Sequence, residues 1–177
     1  NHPADYQSWR PAFLADFIVE THHRYVQEKT PVILSYLAKL GQKHGGRHPE
    51  LLEINKLFSD SATELASHME KEEQILFPRI RNLATMNADG PQDHLVTSSS
   101  LNAPIKVMMH EHDNEGERFK KIDILTDHYQ PPADACNTYK VTYSLLQEFE
   151  NDLHLHIHLE NNILFPKAVQ MEKELMN

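Results

Sequence analysis

Two eleven-residue stretches, HMEKEEQILFP at 68–78 and HIHLENNILFP at 156–166, share the frame H-x-x-x-E-x-x-I-L-F-P. The second also belongs to a run with His154, His156 and His158 at every second position, the pattern of one face of a β-strand. That alternation has no counterpart in the first stretch, whereas the His and the Glu four residues on recur. A spacing of four places two side chains on one face of an α-helix. Heptad rows agree: Leu51, Phe58, Leu65 and Glu72 form one, and Ser61, His68 and Ile75 another. Phe149, His156 and Ile163 line up beside Leu146, Leu153 and Glu160. Both stretches are therefore helical, with imidazoles and carboxylates on rows of core residues.

Composition points the same way. Five glycines in 177 residues, with dense Leu, Glu, Lys and Ala, favour an all-α chain. The length suits a single domain over 1–177 with its own core. A net charge of -9 with no Lys/Arg cluster argues against nucleic acid and against an anionic membrane surface. No apolar run approaches a membrane span. Cys136 is the single cysteine, which excludes an intrachain disulfide and points to a reducing, cytoplasmic compartment. Thirteen histidines in an acidic chain suggest nitrogen and oxygen metal ligands.

Four long segments carry helical periodicity. The first runs from about Pro11 to Gly41, with a kink expected at Pro31. The second starts at Pro49 and runs to about Leu83. The third spans Pro104 to His128, and the fourth Ala135 to Glu174. A polar stretch at 86–102 is expected as a mobile loop. Four helices of similar length with mostly short connections predict an up-down-up-down four-helix bundle.

The other two helices supply further donors. In the third, Ile105, His112, Phe119 and Thr126 form a row flanked by Met109 and Ile122, so His112 points inward. His110 lies about 200° round from it, on the outer face. In the first helix both His22 and His23 are candidates. Ile18, Val19, Tyr25 and Val26 flank His22 more symmetrically, whereas spacing selects His23. His23 precedes His68 by 45 residues, as His112 precedes His156 by 44. The chain then reads as two helix pairs, each with a lone His followed by H-x-x-x-E.

Two glutamates on inward rows of one bundle call for a compensating cation, because an unpaired buried charge is costly. His23, His68, Glu72, His112, His156 and Glu160 make six donors. Two matching halves suggest two metals, each with two imidazoles, and both carboxylates bridging. A bridging oxo or hydroxo group would bring each metal to five ligands. One position would then stay open for O₂, NO or peroxide. Mixed imidazole and carboxylate donors in a bundle core fit iron ahead of manganese or zinc.

Five stretches carry a family resemblance: LADFIVETHHRYVQEKTPVIL, SHMEKEEQILFP, VMMHEHDNEGE, PPADACNTYK and HIHLENNILFP. Together, and in this order, they resemble the hemerythrin-like domain of the di-iron proteins that repair iron–sulfur clusters. The resemblance implies a non-haem di-iron centre held by His23, His68, Glu72, His112, His156 and Glu160, and so favours His23 over His22. It also implies iron–sulfur proteins as clients, with O₂ or NO as small ligands and a possible redox reaction with either. The oligomeric state is left open, a dimer included. The adjacent cysteines of the family's small N-terminal domain are absent from this sequence, so no role of theirs carries over. Oxygen-carrying hemerythrins place another His four residues after the third-helix His, where this chain has Gly116. They also bring an Asp five residues after the last-helix His, where this chain brings Glu160 at four.

Several neighbours complete the expectation. Glu64 and Asp152, one turn before His68 and His156, are candidates to accept hydrogen bonds from those rings, or else are solvated carboxylates. Glu111 is a candidate for lining an ion or solvent path. Gly116 suits close packing or access to the metals. His154 and His158 are expected on the surface, His44, His48 and His94 in loops, and Phe77 and Phe165 in the core. The function expected is repair of clusters damaged by oxidants or nitric oxide, through supply of iron. A sensor of O₂ or NO is the alternative. A ferritin-like oxidase is disfavoured, because that group uses Glu-x-x-His pairs and more carboxylates.

Overall fold

Four helical arms form in the computed structural model, which describes residues 4–89 and 100–177; among these, every regular element is helical. The first arm joins α1 (Pro11–Phe17), a π-helical stretch Ile18–His23 and α2 (Arg24–His44). The second joins α3 (Glu50–Lys71), a π-helical stretch Glu72–Leu76 and α4 (Phe77–Asp89). The third is α5 (Asn102–Leu125). The fourth joins α6 (Asn137–Leu159), a π-helical stretch Glu160–Leu164 and α7 (Phe165–Met176). Cross-arm contacts run in opposite senses, as in Asp16–Arg81 with His23–Glu73 and Ser61–Glu115 with Lys71–Glu111. Neighbouring arms are thus antiparallel, giving the up-down-up-down bundle.

The boundaries depart from expectation in specific places. Pro31 lies inside α2, which continues through it to His44, so His44 closes a helix instead of lying in a loop. The second arm passes Leu83 and reaches Asp89. Residues 90–99 of the expected loop, His94 included, fall outside the described residues. α5 stops at Leu125, short of His128, because Asp127, His128 and Tyr129 take left-handed φ angles of 50°, 56° and 61°. Such angles cost roughly 1–2 kcal/mol per residue. Local bonds offset part of this: Tyr129 N–H donates to Thr126 Oγ1 at 3.0 Å, and His128 Nδ1 pairs with Asp123 at 2.9 Å.

Each π stretch shifts backbone hydrogen bonding by one residue. Arg24, Phe77 and Phe165 donate to the carbonyls of Val19, Glu72 and Glu160, five residues back. Pro78 and Pro166 follow the second and third stretches. Proline clashes with the carbonyl four residues earlier in a regular helix, and a wider turn just before it relieves that clash. The repeated E-x-x-I-L-F-P frame is therefore the local sequence of a π turn.

Two apolar clusters fill the bundle on either side of a polar layer. One holds Ile33, Leu37, Leu51, Phe58, Phe119 and Phe149, with Phe58 packed edge-on against Phe149 at 5.1 Å. The other holds Leu14, Ile18, Phe77, Ile80, Leu159 and Phe165. Leu65 and Met69 belong to the first cluster and Leu76 and Phe77 to the second, so His68 and Glu72 lie at the seam. Phe149 and Leu153 against Leu159 and Ile163 place His156 and Glu160 there too.

Candidate metal centre

All six expected donors converge at that seam. His23, His68, Glu72, His112, His156 and Glu160 are each buried, at most 4% exposed. One ligand atom from each of His23, Glu72, His156 and Glu160 lies within 4.8 Å of the others, and the same holds for His68, Glu72, His112 and Glu160. The two groups share both carboxylates. His23 Nε2 is 3.8 Å from Glu72 Oε2, and His156 Nε2 is 2.6 Å from Glu160 Oε1. His112 Nε2 is 2.8 Å from Glu160 Oε2, and His68 Nε2 touches Glu72 Oε1.

Helix geometry explains the convergence. His68–Glu72 and His156–Glu160 are i,i+4 pairs that straddle the start of a π stretch. The first-arm stretch ends on His22 and His23 and turns both inward, at 3% and 0% exposure. This resolves why periodicity and spacing disagree over that pair. Only His23 joins a donor group. His22 instead stacks on His156, with ring centroids 5.6 Å apart and planes 14° from parallel.

Outer-shell bonds aim most of the rings. His23 Nδ1 bonds Glu73 at 3.0 Å, His68 Nδ1 bonds Glu111 at 3.0 Å, and His112 Nδ1 bonds Asn161 Oδ1 at 2.8 Å. Each leaves Nε2 free toward the centre, the arrangement that fixes the tautomer and orientation of metal-ligating histidines. Glu73 and Asn161 were not foreseen, although each directly follows a Glu of the repeated frame. Glu111 was expected to line a path. It bonds His68 and pairs with Lys71, and also walls a pocket that reaches His68, His112 and His156.

Other expectations need correction. Asp152 bonds His22 at 3.0 Å instead of His156, and Glu64 pairs with Arg118 at 3.2 Å instead of His68. Side chains one turn apart on a helix compete with partners on neighbouring arms, and here the neighbours win. A Cβ placed on Gly116 would meet nothing within 4 Å, so close packing is not its role. Ile75 and Met109 face out, at 54% and 39% exposure, while Leu76 and Met108 take the inward positions. Met109 lies one residue off the stripe of Ile105, Met108, His112, Glu115 and Phe119; the π turn does not account for Ile75, because Ile163 at the matching position of the other π turn is buried. His110, His154 and His158 are exposed, as expected.

A third buried carboxylate was also missed. Glu115, one turn past His112, is 3% exposed, accepts a hydrogen bond from Ser61 Oγ at 2.7 Å and pairs with Arg118. Ser61 on an inward row was the available signal.

The electrostatics call for a cation. Burial and repulsion from Glu160 push Glu72 up to about 7. Burial acts on Glu160 in the same direction, but His156 and His112 outweigh it and hold Glu160 well below the ordinary carboxylate range. Burial lowers His23. Burial would also lower His68, yet Glu72, Glu160 and Glu111 push it up to about 9. Glu72 Oε2 and His23 Nε2 have no hydrogen-bond partner while fully buried, and lie 3.8 Å apart. Buried polar atoms are seldom left so, and two converging on one point fit a metal ion.

A helical bundle crossed by a buried His/Glu layer with inward Nε2 atoms defines a class. The chain belongs to the hemerythrin HHE cation binding domain family, whose model matches residues 15–168. Within that family it is similar to the iron–sulfur cluster repair proteins YtfE of Musicola paradisiaca and Pectobacterium atrosepticum. Each is 37% identical over an alignment that covers 96% of this chain and 72% of the relative. A probable iron–sulfur cluster repair protein of Haemophilus influenzae is 36% identical, over 96% of this chain and 70% of its own. No helix among the described residues is long and apolar enough to cross a membrane.

Proposed function

We propose that the bundle holds two iron ions and that the protein restores damaged iron–sulfur clusters by supplying iron. The observation that carries this reading is the pair of four-donor groups sharing Glu72 and Glu160. On this reading His23 and His156 serve one ion, His68 and His112 the other, and each glutamate offers an oxygen to both. Bound iron would supply both a transferable ferrous ion and a redox centre open to O₂ or NO. Glu73, Glu111 and Asn161 hold three of the rings in place, and the two apolar clusters keep bulk water from the carboxylates. Both carboxylates and all four imidazoles bind protons as well as metal, so the same donors can release metal when protonated. Iron–sulfur proteins are the proposed clients, after the names of the relatives, and the cytoplasm is the proposed compartment. All four arms contribute donors, which supports one domain over the whole chain.

The test loads the protein anaerobically, counts iron per chain, and mixes it with an iron–sulfur enzyme inactivated by oxidant. Two irons per chain and recovery beyond that given by free ferrous iron are expected. A single tightly held zinc, or recovery no better than with free iron, would count against the proposal.

A further inference from the structure

The two halves of the centre are related by the repeat, and the repeat exposes one break. Glu73 and Asn161 occupy matching positions and anchor the lone histidines, His23 and His112. Glu111 directly precedes His112 and anchors His68 across the bundle. The residue that directly precedes His23 is His22, so by the same relation it should anchor His156. It does not. His22 lies flat against His156, and its own Nδ1 is taken by Asp152 at 3.0 Å. His22 Nε2 and His156 Nδ1 are both buried with no hydrogen-bond partner.

We propose that His22 is a positioning residue that makes the two halves unequal, so that the His23/His156 half gives up its metal first. The inference rests on the two-iron reading above. Three ligand rings have an oxygen at Nδ1, which polarises the imidazole and fixes its direction. His156 has only a neighbouring ring, which restrains its plane but accepts no proton from Nδ1. A missing partner of this kind costs about 10–100-fold in metal affinity. The half with His68 and His112 has both its anchors, Glu111 and Asn161, and retains its metal longer. The inequality would let one ion leave while the shared carboxylates stay neutralised by the other.

The test follows iron leaving the anaerobically loaded protein into a ferrous-specific chelator. Two phases of equal amplitude are expected, with rates about tenfold or more apart. His22→Glu places a carboxylate where Glu111 stands in the other half, and should slow the fast phase alone toward the slow one. Glu111→Ala tests the same rule from the opposite side by removing the oxygen at His68 Nδ1, and should speed the slow phase alone. Circular dichroism checks that each variant folds, and a merely structural role for His22 would move both phases together. A single phase in the unaltered protein, or both phases responding alike to either substitution, overturns the inference. A chain that binds no iron sinks the two-iron reading as well, whereas two irons leaving together sink this inference only.

Discussion

His68 and His112 meet Nε2 to Nε2 at 3.1 Å. Their other ring nitrogens are committed, His68 Nδ1 to the Glu111 carboxylate and His112 Nδ1 to Asn161 Oδ1. With an acceptor at each Nδ1, a neutral ring donates there and presents a lone pair at Nε2. Two lone pairs then face each other in a buried site, an arrangement that requires a proton or a metal ion between them. In the metal-free protein that charge is a proton.

This sets a pH dependence. Burial alone would lower His68, but the charge and hydrogen bond of Glu72 outweigh it and lift the ring to about 9, against 6.5 for a free imidazole. A group with a raised folded value stabilises fully below its unfolded value, and that stability is lost as pH rises through the folded one. His112 is raised as well, with burial opposing and Glu160 prevailing. The thermal midpoint of metal-free protein is therefore expected to fall between pH 6.5 and about 9. Metal-loaded protein should not show this fall, because the ion replaces the proton. Scanning calorimetry of both forms across that range decides it; a metal-free midpoint that rises with pH would refute the protonated pair.

The donor set makes a second prediction. Glu72→Ala and Glu160→Ala each remove oxygens from both groups and should abolish most metal binding. His110→Ala and His158→Ala, at exposed positions, should leave the metal content unchanged. His23→Ala should lose metal outright, whereas His22→Ala should still load. Metal analysis after purification reads all six variants. Equal losses across the set would show that the inward faces are misassigned.

Glu115 supports a prediction about stability. It is buried, and among the described residues its polar partners are Ser61 and Arg118. Burial holds its carboxyl above the ordinary range despite those partners. Arg118→Ala leaves a buried carboxylate with one neutral donor, a class of change that costs about 3–5 kcal/mol. Adding Glu115→Gln removes the stranded charge and should recover much of that loss. Denaturant unfolding of the single and double variants measures both. If the double variant is no more stable than Arg118→Ala, the loss does not come from the stranded charge.

Much of this architecture was legible because two signals reinforced each other. Periodicity marked four arms, and the repeated H-x-x-x-E placed ionisable side chains on apolar rows, where only pairing or metal makes them tolerable. The chosen partners across the bundle were not legible. Whether Asp152 meets His156 or His22 depends on the packing of arms one and four, which no spacing within one helix reports. The π turns escaped notice because one added residue shifts an apolar row by less than the width of the stripe. Ile75 and Ile163 keep the same heptad spacing from His68 and His156 across matching π turns, yet the first faces solvent and the second is buried, so which arm face is covered is also set by the neighbours.

The π turn at Glu72–Leu76 leads to the last prediction. A π turn is a regular helix with one residue added, so removing one residue should restore the α-helix. Ile75 is the residue to delete, since it is exposed and contributes nothing to either apolar cluster. Pro78 would then clash with the carbonyl four residues before it, at a cost of about 3 kcal/mol, so the deletion is combined with Pro78→Ala. Leu76 and Phe77 keep their inward register, and the helical content should be unchanged or slightly higher. Glu72 and Glu73, however, sit at the start of the widened turn, where its geometry sets the direction of both carboxylates. The deletion variant is expected to fold, shown by its circular dichroism and a cooperative thermal transition, while losing at least half of its iron. Undiminished iron binding in a folded variant would mean that the π turn serves only to accommodate Pro78 and does not aim the shared glutamate.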